Sequence, residues 1–142
     1  MVILGSTGSI GVNALKLARE HGVKIEALSG NKNVSLLNQQ IREFRPRYVG
    51  LCGGDVGLLE PLDSIVFSGE DAIIDMLKMC ESERILNAIV GFAGLKASLY
   101  AIENDKYLIL ANKESLVIAG GVIYKTLRVG CGVEGAECEN EN

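Results

Sequence analysis

Val2-Ile3-Leu4-Gly5-Ser6-Thr7-Gly8-Ser9-Ile10-Gly11 opens the chain, and this stretch decides how the rest is read. Val2-Ile3-Leu4 is a short, fully apolar run, as expected of a strand buried on both faces. Three glycines follow at a spacing of three. Gly5 and Gly8 suit a tight turn and a backbone that something must approach without a Cβ in the way. Gly11 suits close packing of a helix on the preceding strand. Thr7 and Ser9 add hydroxyls. Periodic apolar residues then begin, so the loop opens a helix. Free N–H groups at a helix N-terminus point at anions, and a phosphate-binding loop is the reading these residues support. A tight turn without a ligand is the plainer alternative. The strand–loop–helix context favours the phosphate loop.

Further along, short apolar runs alternate with helical spacing. Gly8 to His21 predicts a helix with Ile10, Ala14 and Leu17 on its inner face. Ile25 to Leu28 predicts a second strand. Val34, Leu37, Ile41 and Phe44 recur at helical spacing, and Pro46 ends that helix. Tyr48 to Cys52 is a third strand, with Gly53-Gly54 as a turn. Ile65 to Phe67 is a fourth, and Ser68 with Glu70 and Asp71 marks a capped, acid-biased helix start. Ile73, Leu77 and Cys80 form that helix's inner face. Ile85 to Val90 is a fifth strand, and Leu95, Leu99 and Ile102 mark a helix. Tyr107 to Ala111 is a sixth strand, with a helix from about Lys113. This alternation predicts an α/β fold: a Rossmann-like, doubly wound, mostly parallel sheet with helices on both faces.

The 142 residues fit one domain, and 48% hydrophobic with 23% charged residues is an ordinary globular balance. No apolar run is long enough to span a membrane, and the N-terminus lacks the pattern of a secretory signal. The formal net charge of −4 is local. Glu134, Glu137, Glu139 and Glu141 lie in a terminal stretch without Lys or Arg; removing them from the eighteen acidic residues leaves fourteen, matched by fourteen Lys and Arg. A neutral body argues against nucleic acid as a partner. Residues 1–128 therefore read as the domain and 129–142 as an acidic, disordered tail. Cys52, Cys80, Cys131 and Cys138 form no Cys-x-x-Cys pair, and His21 is the one histidine, so no metal ligands are assigned. Cys52 and Cys80 suit buried, reduced positions in a cytoplasmic protein.

The end of the second strand chooses between dinucleotides. An acidic residue there bonds the ribose hydroxyls of NAD. Here Leu28-Ser29-Gly30-Asn31-Lys32-Asn33 has no acid, and the nearest, Glu26, lies earlier. Lys32 offers a charge for a 2′-phosphate, which favours NADP; Asn33 also suits capping of the next helix. Leu110-Ala111-Asn112-Lys113-Glu114-Ser115 places three polar residues at the carboxyl end of a strand, where open α/β sheets bind ligands. Asn112 can cap a helix there and Lys113 can hold an anion. Gly91-Phe92-Ala93-Gly94 has the same placement. No Tyr-x-x-x-Lys and no Gly-x-Ser-x-Gly occurs, which argues against a short-chain dehydrogenase and a serine hydrolase.

Four segments now stand in order: Gly5–Gly11, Asn31-Lys32-Asn33-Val34, Asn87-Ala88-Ile89-Val90-Gly91-Phe92-Ala93-Gly94 and Leu110-Ala111-Asn112-Lys113-Glu114-Ser115-Leu116-Val117. Together they closely resemble the N-terminal NADPH-binding domain of the 1-deoxy-D-xylulose-5-phosphate reductoisomerase family, from about Met1 to Leu127. The resemblance implies NADPH and a divalent metal, Mg or Mn. It also implies isomerisation and reduction of a sugar phosphate on the methylerythritol phosphate route to isoprenoids, by a cytoplasmic homodimer. It places the NADPH phosphates on Thr7, Gly8, Ser9 and Ile10, and the adenosine end on Asn31, Lys32 and Asn33. In many members the position of Asn31 is glycine, and Gly30 shares the role. Asn112 and Glu114 would contact NADPH, and Lys113 the substrate. The family's Asp-Ser-Glu metal motif does not occur in this sequence. The expectation is a chain, truncated relative to the family, that binds NADPH without turnover. Two other readings stand beside it: a non-catalytic NADP-binding module, and the cofactor domain of another NADP-dependent dehydrogenase of the semialdehyde type.

Overall fold

Val2–Leu4 forms β1, all three residues fully buried, at the centre of a parallel sheet. The computed structural model describes residues 1–111 and 133–134. In chain order β1 is followed by α1 (Ser9–Glu20), β2 (Ala27–Gly30), α2 (Val34–Phe44), β3 (Tyr48–Leu51), a short 3-10 turn at Val56–Leu58 and β4 (Ile65–Ser68). Then come α3 (Ala72–Met79), β5 (Arg84–Asn87), α4 (Gly91–Glu103) and β6 (Tyr107–Leu110). A two-residue strand, β7 (Val133–Glu134), pairs with β6. The sheet order is β4-β3-β2-β1-β5-β6-β7, every pair parallel. The expected doubly wound, Rossmann-like α/β fold is therefore the observed one.

Period-two alternation sorts the strand residues between two cores. Val2, Leu4, Ala27, Tyr48, Ile85 and Leu108 face α3 and α4. Ile3, Leu28, Val49, Leu51 and Leu86 face α1 and α2. Arg45 ends α2 in the left-handed conformation (φ 48°), because the following Pro46 disfavours a further helical residue.

Several elements differ from the sequence reading. β2 begins at Ala27, paired with Val2 and Tyr48, and runs to Gly30; Ile25 and Glu26 precede the ladder although Ile25 is buried. β5 ends at Asn87, whose side-chain oxygen accepts from the Ile89 N–H and turns the chain away. Ser68 is the last residue of β4, and the N-cap of α3 is Asp71, without a side-chain capping bond. The inner face of α1 is Gly11, Leu15 and Ala18, while Ile10 and Leu17 are exposed. α1 is rotated because Gly11 must face the loop before it, as shown below. α4 buries Gly94, Ala97, Ser98, Ala101 and Ile102, and Leu95 packs half-buried against the same core. The expected domain boundary at 128, the helix from Lys113 and the acidic tail expected over 129–142 fall outside the described residues, apart from β7.

Candidate functional site

The chain winds outward from β1 through β2, β3 and β4, then returns across the sheet to β5 on the other side of β1. Loops leaving β1 and β5 therefore diverge and leave a crevice at the carboxyl edge, the place where open parallel sheets bind ligands. The two walls nearly touch at their base, where a Cβ on Gly5 would stand 3.0 Å from the Ala88 carbonyl oxygen. A cleft of about 660 Å³ also exists at the opposite, amino edge, lined by Lys24, Glu26, Arg45 and Arg47 among others. It does not adjoin the glycine loop.

Each glycine of the first loop has a separate task. Gly5 has φ +75°, which L side chains rarely adopt. A Cβ on Gly11 would overlap the Gly5 carbonyl oxygen and lie 2.7 Å from the Ser6 carbonyl carbon, so only glycine lets α1 sit this close. Gly8 differs: a Cβ there would meet only the Gly5 oxygen, at an ordinary 3.6 Å. Packing does not demand glycine at position 8, and the space it leaves lies over the start of α1. No side chain caps that helix, so the first-turn N–H groups of Ser9, Ile10 and Gly11 have no intrahelical partner. Gly8, Ser9 and Ile10 are exposed, as an anion cradle needs.

The loop is held from below by groups that sequence reasoning did not single out. Ser6 donates its backbone N–H to the Ser29 carbonyl (2.8 Å), and Gly5 donates to Ser29 Oγ (3.0 Å). Ser6 Oγ donates to Gln40 Oε1 (2.7 Å) and lies 3.1 Å from the Ser29 carbonyl, while Gln40 Nε2 donates to the Ser6 carbonyl (2.9 Å). All three side chains are buried. The available signal was a polar residue inside an apolar pattern, since buried polar groups must be paired.

Thr7 reaches across to the end of β2: a Cβ on Gly30 would lie 3.4 Å from Thr7 Cγ2 and 3.2 Å from Leu37 Cδ2. The structure thus brings Thr7 of the glycine loop beside Gly30, the residue before Asn31, Lys32 and Asn33. Asn33 caps α2, its Oδ1 accepting from the Leu36 N–H at 3.1 Å. The Asn31 side chain lies over Gly53, where a Cβ would overlap its Oδ1. Lys32 is exposed and forms no ion pair among the described residues. Glu26, the nearest acid in sequence, is at the other end of the sheet, where its carboxylate accepts from the Glu81 and Ser82 N–H groups (2.8 and 2.7 Å). Partial burial alone would raise its pKa, but hydrogen bonds from Ser82 and the Glu81 backbone, with the nearby amino terminus, hold it below the ordinary carboxylate range. Glu26 is therefore not at the crevice end of β2.

Across the crevice Asn87 is buried and shapes the second loop. Its Nδ2 donates to the Gly94 carbonyl (2.7 Å) and to Ser98 Oγ (2.8 Å). Val90 and Phe92 project from this wall, 74% and 75% exposed. Ala111 donates to the Asn87 carbonyl at 3.2 Å and carries the chain to the same edge. Asn112, Lys113 and Glu114 follow immediately but lie outside the described residues. Among the described residues no group of three or more His, Cys, Asp or Glu side chains could hold a metal ion. Cys80 is buried, which pushes its thiol up to about 12 and leaves it unreactive, and Cys52 is half-buried. No described helix is long and apolar enough to cross a membrane.

Comparison with known proteins agrees with this architecture. Residues 1–120 match the family model described as 1-deoxy-D-xylulose 5-phosphate reductoisomerase. The chain is 55% identical over 124 residues to the 1-deoxy-D-xylulose 5-phosphate reductoisomerase of Helicobacter pylori (strain HPAG1), covering 87% of this chain and 34% of that protein. It is 50% identical over 133 residues to that of Campylobacter curvus (strain 525.92), covering 91% and 36%. The solved reductoisomerase from Zymomonas mobilis in complex with NADPH superposes with a TM-score of 0.80 at 32% identity, over 90% of this chain and 35% of that one. A reductoisomerase structure with NADPH, fosmidomycin and magnesium gives a TM-score of 0.81 at 36% identity, over 90% and 33%. The chain thus spans about a third of the length of the relatives it matches. With a family match over most of its length and the same sheet beneath it, the chain belongs to the 1-deoxy-D-xylulose 5-phosphate reductoisomerase family.

Proposed function

We propose that this chain binds NADPH in the crevice between the loops after β1 and β5. It forms the NADPH-binding part of an enzyme that isomerises and reduces 1-deoxy-D-xylulose 5-phosphate to 2-C-methyl-D-erythritol 4-phosphate. The observation that carries the proposal is the uncapped start of α1 beneath the space left by Gly8, with Thr7 against Gly30 at the end of β2. Thr7, Gly8, Ser9 and Ile10 hold the pyrophosphate through backbone N–H groups and two hydroxyls. Gly30, Asn31, Lys32 and Asn33 hold the adenosine end, with Lys32 facing the 2′-phosphate. Asn112 and Glu114 contact NADPH and Lys113 the substrate. When bound, NADPH supplies the hydride for the reduction. The chain's own residues bind and orient it at the sheet edge.

The described residues do not assemble a site for the Mg or Mn that accompanies this chemistry. We propose that this chain alone binds NADPH without consuming it, and that the complete enzyme works as a cytoplasmic homodimer. A fluorescence titration with NADPH, run beside NADH, tests the binding. Saturation with tighter NADPH binding is expected, and Lys32→Ala should weaken NADPH about tenfold while leaving NADH unchanged. Absence of binding, or equal affinity for both dinucleotides, overturns the reading. Loss of NADPH absorbance on adding 1-deoxy-D-xylulose 5-phosphate and Mg to this chain would overturn the absence of turnover.

A further inference from the structure

Ser6, Ser29 and Gln40 are 0, 1 and 6% exposed, yet each carries a polar side chain. They come from three different segments, the glycine loop, β2 and α2. No buried side-chain N or O atom among the described residues lacks a partner, so this polar cluster is fully paired. Gln40 makes the longest connection, using both halves of its amide on one residue: it accepts from Ser6 Oγ and donates to the Ser6 carbonyl. Gln40 is anchored in α2, and α2 starts at the Asn33 cap, directly after Asn31 and Lys32. One rigid helix therefore joins the residues proposed for the 2′-phosphate to the loop proposed for the pyrophosphate.

We propose that Gln40 is a positioning residue that sets the spacing between the two phosphate-binding points of the crevice. The proposal rests on the NADPH reading. Without Gln40 the Ser6 carbonyl and hydroxyl lose their partner in α2, and the glycine loop is held by Ser29 alone. Each phosphate point survives separately, but their fixed separation does not. A ligand that spans both must then order the loop itself, which costs affinity. A ligand that reaches only the adenosine end is not affected.

The test compares NADPH with adenosine 2′-monophosphate on the 142-residue chain and on Gln40→Met, which keeps side-chain length and removes the amide. NADPH binding should weaken at least about tenfold, and adenosine 2′-monophosphate binding should stay within about twofold. Thermal melting reports whether the variant is folded at the assay temperature. If it is not, Ser6→Ala, which removes only the hydroxyl half of the contact, takes its place with an expected loss for NADPH of about threefold to tenfold. A folded variant that binds NADPH as tightly as the parent overturns the proposal, as does equal weakening of both ligands. A parent chain that binds neither ligand overturns the NADPH reading itself, and this proposal with it.

Discussion

The loops after β1 and β5 solve one steric problem twice. Each path into the next helix passes through a glycine at positive φ, Gly5 at +75° in the first loop and Gly91 at +76° at the head of α4. Each then uses a glycine within the first helical turns, Gly11 or Gly94, whose Cβ would overlap a carbonyl oxygen of the preceding loop, that of Gly5 or of Ile89. Both helices begin without a side-chain cap, at Gly8 and Val90. The supports differ. The first loop is held from outside, by Ser29 and Gln40 of β2 and α2. The second is held by Asn87 of its own strand. The surfaces differ too: hydroxyls at Thr7 and Ser9 on one wall, exposed Val90 and Phe92 on the other. A shared backbone solution therefore carries a polar wall suited to phosphate and an apolar wall facing it.

The largest effect should come from Gly11→Ala and Gly94→Ala. Backbone atoms receive both clashes and cannot swing aside, so each substitution should cost about 3 kcal/mol or more. Thermal unfolding checks this, and near-native melting of either variant would break the comparison at its base. Asn87→Leu comes next. It leaves the Gly94 carbonyl and the Ile89 N–H without their partner, for a loss of about 2 kcal/mol in denaturant unfolding. The two positive-φ glycines then sharpen the contrast. Gly5→Ala adds crowding against Ala88 to the strain and should cost about 2 kcal/mol, whereas Gly91→Ala meets nothing within 4 Å and should cost about 1 kcal/mol. Equal costs would show that the base of the crevice is looser than the Gly5–Ala88 approach implies. Phe92→Ser, on a side chain already three-quarters exposed, should move stability by less than about 0.5 kcal/mol.

Much of the fold was legible along the chain. Strand and helix periods alternate regularly, and the glycine spacing after Val2-Ile3-Leu4 marks the carboxyl edge of the first strand. Leu28 to Asn33 holds no acid, and the nearest one in sequence, Glu26, binds the Glu81 and Ser82 N–H groups at the amino edge. What was not legible was phase and long-range pairing. Periodicity alone put Ile10 and Leu17 inside α1. The close approach of Gly11 to Gly5 turns that helix so that Gly11, Leu15 and Ala18 face inward. In α4 the close approach of Gly94 to Ile89 likewise brings Ala97, Ser98 and Ala101 inward.

The order of elements, the glycine loop and the lack of a carboxylate from Leu28 to Asn33 follow from the residues alone. Those are local properties, set by which residues tolerate a turn, fill a strand or end a helix. Which face each helix buries, and the meeting of Ser6, Ser29 and Gln40, depend on tertiary packing. Their hydrogen bonds join residues 23 and 34 positions apart, and no local pattern encodes such a pairing. Burial makes it obligatory, because a polar group taken out of water must find its partner wherever the fold brings one.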